Sequence, residues 1–177
     1  YLAGTFNGTK GATNVPTSQY AVGLDISRNQ YFGLGNGTDK PAVSVAADSC
    51  GNVYYAGAFS TANGRNTGPI ALYKDNDFTT VAATLPNFVG SIQSIFVDCP
   101  VGSCTCDLWI GGAFTFTDTN GATASCVARY SATTQQWSAL GGAAAHNITV
   151  LSFQSPVAPV TTVKRLGDNV YFGGSFS

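Results

Sequence analysis

The sequence predicts an all-β chain in which a four-stranded antiparallel unit recurs about three times. Three observations carry this expectation. First, a motif reading aromatic, apolar, small, Gly, small, Phe occurs four times: Tyr1-Leu-Ala-Gly-Thr-Phe6, Tyr54-Tyr-Ala-Gly-Ala-Phe59, Trp109-Ile-Gly-Gly-Ala-Phe114 and Tyr171-Phe-Gly-Gly-Ser-Phe176. Its glycines, Gly4, Gly57, Gly112 and Gly174, stand 53, 55 and 62 residues apart. Self-similarity at about 50 residues marks a propeller or a tandem array. Second, the motif copies are separated by short runs of Val, Ile and aromatic residues, with Gly, Asn and Asp turns between them. Third, the 177 residues include 21 Gly, 20 Thr, 15 Ser and 12 Asn, nine Asp, no Glu and no Met, which leaves little to build helices from.

Each period repeats the same order. After the motif Phe comes a polar loop. A strand follows: Val22-Gly-Leu-Asp25, Ile70-Ala-Leu-Tyr73 and Val127-Ala-Arg-Tyr130. A turn then leads to an aromatic residue, Tyr31, Phe78 or Trp137. In the first and third periods this aromatic runs on into Leu34-Gly35 and Leu140-Gly141, whereas the second keeps only Val81-Ala82. The next strand is expected at Val43-Ser-Val-Ala46, at Ile92-Gln-Ser-Ile-Phe-Val97 and at residues 148–153. Turns at Gly51-Asn52 and Gly167-Asp-Asn169 return the chain to the motif. The Pro-bearing stretch 155–160 reads as an inserted loop before Thr161–Leu166, which starts the last hairpin. The repeats are thus approximately 4–56, 57–111 and 112–173, with 174–177 opening another, all in one region spanning 1–177. Strands that alternate apolar and polar residues in four-stranded units around an axis make a β-propeller-like array. In such a unit the small residues of the motif let backbones approach, and the Phe fills the gap between sheets.

Charge and hydropathy exclude several classes. Eight cations, scattered along a chain of net charge −1, form no basic stripe for nucleic acid. No apolar run reaches the length of a membrane span. A chain with 44% hydrophobic and 12% aromatic residues has enough apolar surface to fold rather than stay disordered.

Cysteines and sequons place the chain outside the cell. Cys50, Cys99, Cys104, Cys106 and Cys126 are the cysteines, three of them within eight residues. That cluster has no nearby His and suits a disulfide-stapled turn better than zinc. A bridge from Cys99 to Cys104 or to Cys106 would close the hairpin, while Cys104–Cys106 would be strained. Cys50 sits in the matching turn of the preceding period and Cys126 begins a strand; either can reach a neighbouring unit. With two bridges formed, the fifth cysteine is either free and buried or bonded to another subunit. Asn7-Gly-Thr9, Asn36-Gly-Thr38 and Asn147-Ile-Thr149 are N-glycosylation sequons. The chain opens inside a strand-like pattern and reads as an internal piece of a mature extracellular protein.

The repeated order of Gly-x-Phe, Val/Ile-Ala-x-Tyr, Trp, Leu-Gly and Asn-Val-Tyr resembles kelch-type propellers. More narrowly, it resembles the fungal cortical cell-polarity marker (bud-site-selection) glycoproteins and related microbial surface repeat proteins. The third period carries the whole pattern in Gly112, Phe114, Val127-Ala128, Tyr130, Trp137, Leu140-Gly141 and Asn169-Val-Tyr171. The first departs at Gly23 and Tyr31, and the second lacks the Leu-Gly step. The resemblance covers the chain and implies a large cell-surface β-propeller glycoprotein without catalytic residues.

Candidate chemistry is sparse. Acid–base work needs paired carboxylates. Asp75/Asp77 lies in a turn, and Asp98/Asp107 flanks the cysteine hairpin. A nucleophilic triad needs a His, and His146 sits in a small-residue loop. Asp118-Thr-Asn-Gly121 starts like a calcium loop but lacks the later ligands and the closing Glu, and Asp75-Asn-Asp77 offers only a few oxygens. The Gly-rich stretches lead into strands, not into the helix a phosphate loop requires. No catalytic residue, metal site or cofactor is expected. The expected function is a structural repeat subunit of an extracellular scaffold or filament, associating head to tail with copies of itself or with adjacent repeats and covered by glycans. A chain that starts and ends at the same phase of its repeat suits such association. The alternative is a carbohydrate-binding or adhesion propeller, using aromatics outside the pattern such as Tyr20, Phe88 and Phe116.

Overall fold

The computed structural model describes residues 1–7, 18–81, 85, 87–118, 120–140 and 159–175. The described residues form fifteen strands and no helix. In order they are β1 (Leu2–Asn7), β2 (Gln19–Asp25), β3 (Gln30–Gly33), β4 (Ala42–Ala47), β5 (Val53–Gly57), β6 (Thr61–Ala62), β7 (Arg65–Asn66) and β8 (Ile70–Lys74). They continue as β9 (Asp77–Thr80), β10 (Val89–Asp98), β11 (Asp107–Thr117), β12 (Thr123–Ser131), β13 (Gln136–Ala139), β14 (Val160–Leu166) and β15 (Asn169–Gly174). The all-β expectation holds.

Four antiparallel sheets follow one another along the chain. The first is β1-β2-β3, the second β4-β5-β8-β9, the third β10-β11-β12-β13 and the fourth β14-β15; β6 and β7 make a small separate hairpin. The four-stranded unit is therefore present in the second and third sheets. Its first strand is the Val/Ile strand and its second carries the motif, so repeat boundaries drawn at the motif glycine fall inside sheets. Among the described residues the sheets do not close into a ring.

The sheets stack through three apolar layers. Ala21, Leu34, Val53, Tyr55, Phe59 and Phe78 fill the space between the first and second. Tyr54, Ile70, Ile92, Ile110, Phe114 and Trp137 fill that between the second and third. Trp109, Val127, Val160 and Val163 fill that between the third and fourth. Neighbouring residues Tyr54 and Tyr55 thus point into different layers, and all five residues of β5 are buried. The expected apolar–polar alternation fails in β5 and in the first half of β11 because those strands lie in sheets covered on both faces. Tyr55 and Tyr73 meet Phe78 edge to face, with ring centroids 5.7 and 5.1 Å away. Each such pair contributes about 0.5–1.5 kcal/mol beyond the area it buries. Tyr31, the matching aromatic of the first period, is 44% exposed, since among the described residues its sheet is covered on one face only.

The motif glycine has a steric cause that recurs. Ala42 pairs with Gly57, Ile92 with Gly112 and Val160 with Gly174, and each first strand is irregular just beyond that pair. A Cβ at Gly57, Gly112 or Gly174 would run into the carbonyl oxygen of Pro41, Ser91 or Pro159, respectively. A Cβ at Gly111 would meet Val160 and Val163 of the next sheet. One glycine admits the neighbouring strand and the other admits the neighbouring sheet. Two motif Phe residues, Phe59 and Phe114, are buried in intersheet space, and Phe176 lies outside the described residues.

In the third period the first strand of the fourth sheet is β14, which pairs with β15 through the Gly167-Asp168 turn, so the last hairpin starts at Val160–Leu166, close to the expected Thr161–Leu166. A two-residue turn leaves β15 no other neighbour in sequence to pair with. Residues 148–153, and most of the Pro-bearing stretch, lie outside the described residues.

Candidate functional site

The carboxylates are turn and strand staples. Asp48 Oδ1 accepts the amides of Cys50 and Asn52, both at 2.9 Å, and its Oδ2 accepts Asn52 Nδ2 at 2.6 Å. Asp39 Oδ1 accepts the amides of Ser60 and Thr61, each at 2.8 Å. Partial burial pushes the Asp39 carboxyl up, but the Thr61 and Ser60 hydrogen bonds outweigh this and hold it below the ordinary carboxylate range. Asp25 is held low chiefly by the Ser27 hydroxyl, then by Arg28. Asp118 Oδ1 accepts the amides of Asn120 and Ala122, both at 2.9 Å, so this calcium-like start is a side-chain-closed turn. Among the described residues no three His, Cys, Asp or Glu side chains are grouped to hold a metal ion. Asp, one methylene shorter than Glu, reaches amides two to four residues on at Asp25, Asp48 and Asp118.

Neither candidate carboxylate pair converges on a substrate position. Asp77 bonds Asn63 Nδ2, Arg65 and its neighbour's amide at Phe78, while Asp75 and Asn76, both with positive φ, make the turn between β8 and β9. Asp98 and Asp107 stand opposite each other across β10 and β11, but each has its own arginine. Arg165 of β14 grips both oxygens of Asp98, whereas Asp107 takes Arg129 of β12 and the Ala132 amide. Arg129 also lies over the Trp109 ring at 5.2 Å. One pair therefore ties the third sheet to the fourth, and the other braces the third sheet internally. His146 lies outside the described residues.

The cysteines form two bridges. Cys99–Cys106 closes the β10–β11 hairpin, which is one of the two closures left open by the sequence. Cys50–Cys104 links the β4–β5 turn to the β10–β11 loop across 54 residues, so it fastens the second sheet to the third. Ser49 Oγ donates to the Ser103 carbonyl beside it at 3.4 Å. Cys126 is free and buried, and burial pushes its thiol pKa up. A buried, protonated thiol is inert. Titration of the native protein with a soluble thiol reagent is therefore expected to find no reactive group, and the same titration in denaturant to find one per chain. Rapid native labelling would contradict this burial.

The sequons fall in different surroundings. Asn7 ends β1. Asn147 lies outside the described residues. Asn36 is exposed on a turn and lines an open cleft of about 360 Å³ with Gln19, Gly37, Thr38, Asp39, Thr61 and Gly64. Its main chain is tied down, its amide donating to Asn63 Oδ1 and its carbonyl accepting from Gln19 N, both at 3.1 Å. Among the described residues that line the cleft, none is an aromatic on which a sugar ring could stack. Of the off-pattern aromatics, Phe116 is buried and Phe88 packs against Phe114, while Tyr20 is half-buried.

One contact recurs from sheet to sheet and was not anticipated from sequence. The Ile95 amide donates to Ser44 Oγ at 3.2 Å, joining β10 to β4. The Val163 amide donates to Ser94 Oγ at 3.1 Å, joining β14 to β10. Ser44 and Ser94 hold the same place, two residues after the residue opposite the motif glycine, and Thr162 holds it in β14. Each hydroxyl satisfies an outward amide of the next sheet's first strand. The recurring pattern apolar–x–Ser/Thr–Val/Ile in Ala42–Val45, Ile92–Ile95 and Val160–Val163 is the sequence signal that could have revealed it.

Compared with protein-family models, with curated proteins and with solved structures, the chain finds no match. Two disulfides formed, and no helix among the described residues long and apolar enough to cross a membrane, are compatible with a secreted protein.

Proposed function

We propose that this chain is a non-catalytic extracellular structural glycoprotein, a kelch-like β-propeller repeat unit of a cell-surface scaffold or filament. The repeat-to-repeat hydroxyl–amide contact at Ser44–Ile95 and Ser94–Val163 carries the reading. A unit whose sheets join the next by one reused contact extends by addition of further units of the same kind. The intersheet bridge and the Asp98–Arg165 pair reinforce two of these junctions. The engagement of the carboxylates in turns and arginine pairs supports a role without acid–base chemistry. Asn36, exposed on its turn, is the best placed described sequon for a glycan, and glycans on Asn7 and Asn147 belong to the same reading. Partners are copies of the unit or adjacent repeats.

Negative-stain electron microscopy of the native, unreduced protein tests this. Regular fibres with a subunit repeat are expected. Discrete closed discs, or dispersed particles at all concentrations, would overturn the filament reading, and discs would direct the search to a sugar ligand.

A further inference from the structure

We propose that the open cleft beside Asn36 is the seat of the first sugar carried by Asn36, an N-acetylhexosamine that packs against the cleft walls instead of projecting into solvent. The inference rests on the glycoprotein reading for the presence of the sugar, and on geometry for its seat. Asn36 is exposed and is itself part of the wall of the cleft, whose volume is about 360 Å³. Clefts that hold small ligands run from about 300 Å³ upward. A sugar joined to Asn36 thus finds a hollow of small-ligand size at its point of attachment.

The cleft is built before any sugar enters it. One side is Gln19 with the turn from Asn36 to Asp39, and the other is the β6–β7 hairpin at Thr61 and Gly64. Main-chain bonds join the two sides, the Asp39 amide donating to the Thr61 carbonyl at 3.1 Å and the Asn63 amide to the Gly37 carbonyl at 2.7 Å. The Asp39 carboxylate adds its bonds from the Ser60 and Thr61 amides. On the near side the Thr38 amide donates to the Gln19 carbonyl at 3.0 Å. Gly37 permits this approach, since a Cβ there would run into that carbonyl. Walls already ordered lower the cost of occupying a site.

The walls suit a tethered sugar. The carboxamide of Gln19 and the hydroxyl of Thr61 each donate and accept, as do the acetamido group and hydroxyls of the sugar. The lining residues named above offer polar contacts and no stacking face, which is little for a sugar arriving from solution. A sugar already linked to Asn36 arrives at the high effective concentration that a short link imposes, so the same contacts hold it. The Asn36 main chain stiffens the link, its amide bonded to Asn63 Oδ1 and its carbonyl to the Gln19 amide. Once seated, the ring spans from Gln19 of β2 to the β6–β7 hairpin and covers the bonds between them.

The test uses the whole chain secreted from a eukaryotic host restricted to oligomannose glycans, then trimmed by an endoglycosidase to one N-acetylglucosamine per site. Mass spectrometry reads occupancy at Asn36. Through-space magnetic-resonance contacts between the acetamido methyl and Thr61 are expected. Amide exchange at Gln19 and Asn63 should be roughly two- to tenfold slower than in Asn36→Gln, the effect of about one hydrogen bond. Gln19→Leu keeps the main-chain bonds and should return Asn63 exchange towards the Asn36→Gln value. An occupied Asn36 with no contact to Thr61 and unchanged exchange would overturn the seat and keep the glycoprotein. Sugar at Asn7 or Asn147 but not at Asn36 would do the same, and no sugar at any of the three would overturn both. The contact to Thr61 is measured in the parent chain, so it decides the seat even where a variant misfolds.

Discussion

Replacing Cys50 and Cys104 together by serine is expected to lower the unfolding free energy by about 4 kcal/mol. The bridge closes 54 residues, and the chain-entropy cost of an open loop grows with the logarithm of its length. The Cys99–Cys106 bridge closes only seven residues, and its removal is expected to cost about 2 kcal/mol on the same scale. At this chain length each kcal/mol lowers the unfolding midpoint by roughly 2–4 °C, so the first variant should melt about 8–16 °C below the parent. The order of the two variants matters as much as the size of either. Cys50–Cys104 fastens two sheets that also meet through apolar faces and the Ser44–Ile95 and Ser49–Ser103 contacts, whereas Cys99–Cys106 tightens a hairpin already paired along β10 and β11. Calorimetry of both unreduced variants decides the point. A larger loss from the hairpin bridge would mean that the sheets hold together without their covalent link.

Gly112→Ala is expected to cost about 3 kcal/mol or more, because the added methyl lies inside the Ser91 carbonyl and against the Ile92 backbone, neither of which is a flexible side-chain end. The strand pair must separate or β10 must slide, and both disturb the apolar layer that holds Ile92 and Phe114. Gly4→Ala is the matched control. It changes the same motif position, meets only the Phe6 ring among the described residues, and should alter stability by about 0.5 kcal/mol or less. Urea unfolding of the two variants beside the parent measures the contrast. Equal losses would show that the motif glycine is needed for its backbone conformation and not for the approach of the neighbouring strand.

The parts of the fold legible in the sequence are those set by neighbours along the chain. The turns at Asp75-Asn76 and Gly167-Asp168 follow from residues that tolerate positive φ, and both are turns in the structure. The motif glycines were legible as points of close approach because their spacing is regular. The Cys99–Cys106 closure was one of two short-range choices, separated only by which cysteine of the pair faced the first. Asp118 read as the start of a calcium-like loop, whereas amides two and four residues on close it into a turn.

The parts that were not legible join residues far apart in sequence. Cys50 and Cys104 are 54 residues apart, Ser44 and Ile95 are 51 apart, and Ser94 and Val163 are 69 apart. Nothing local distinguishes Ser44 from any other serine in a strand. Phe116 and Phe88 stood outside the repeat pattern and read as free for a ligand, yet the layer between the second and third sheets takes both.

The sequence by itself determined that this protein is all-β and where its chain turns, because each depends on backbone sterics and side-chain reach over a few residues. The tertiary structure alone decided which strands share a sheet, which faces are doubly covered, and which hydroxyl meets which amide. Those outcomes depend on how sheets stack face to face, and stacking brings together residues that the chain order separates by a whole repeat.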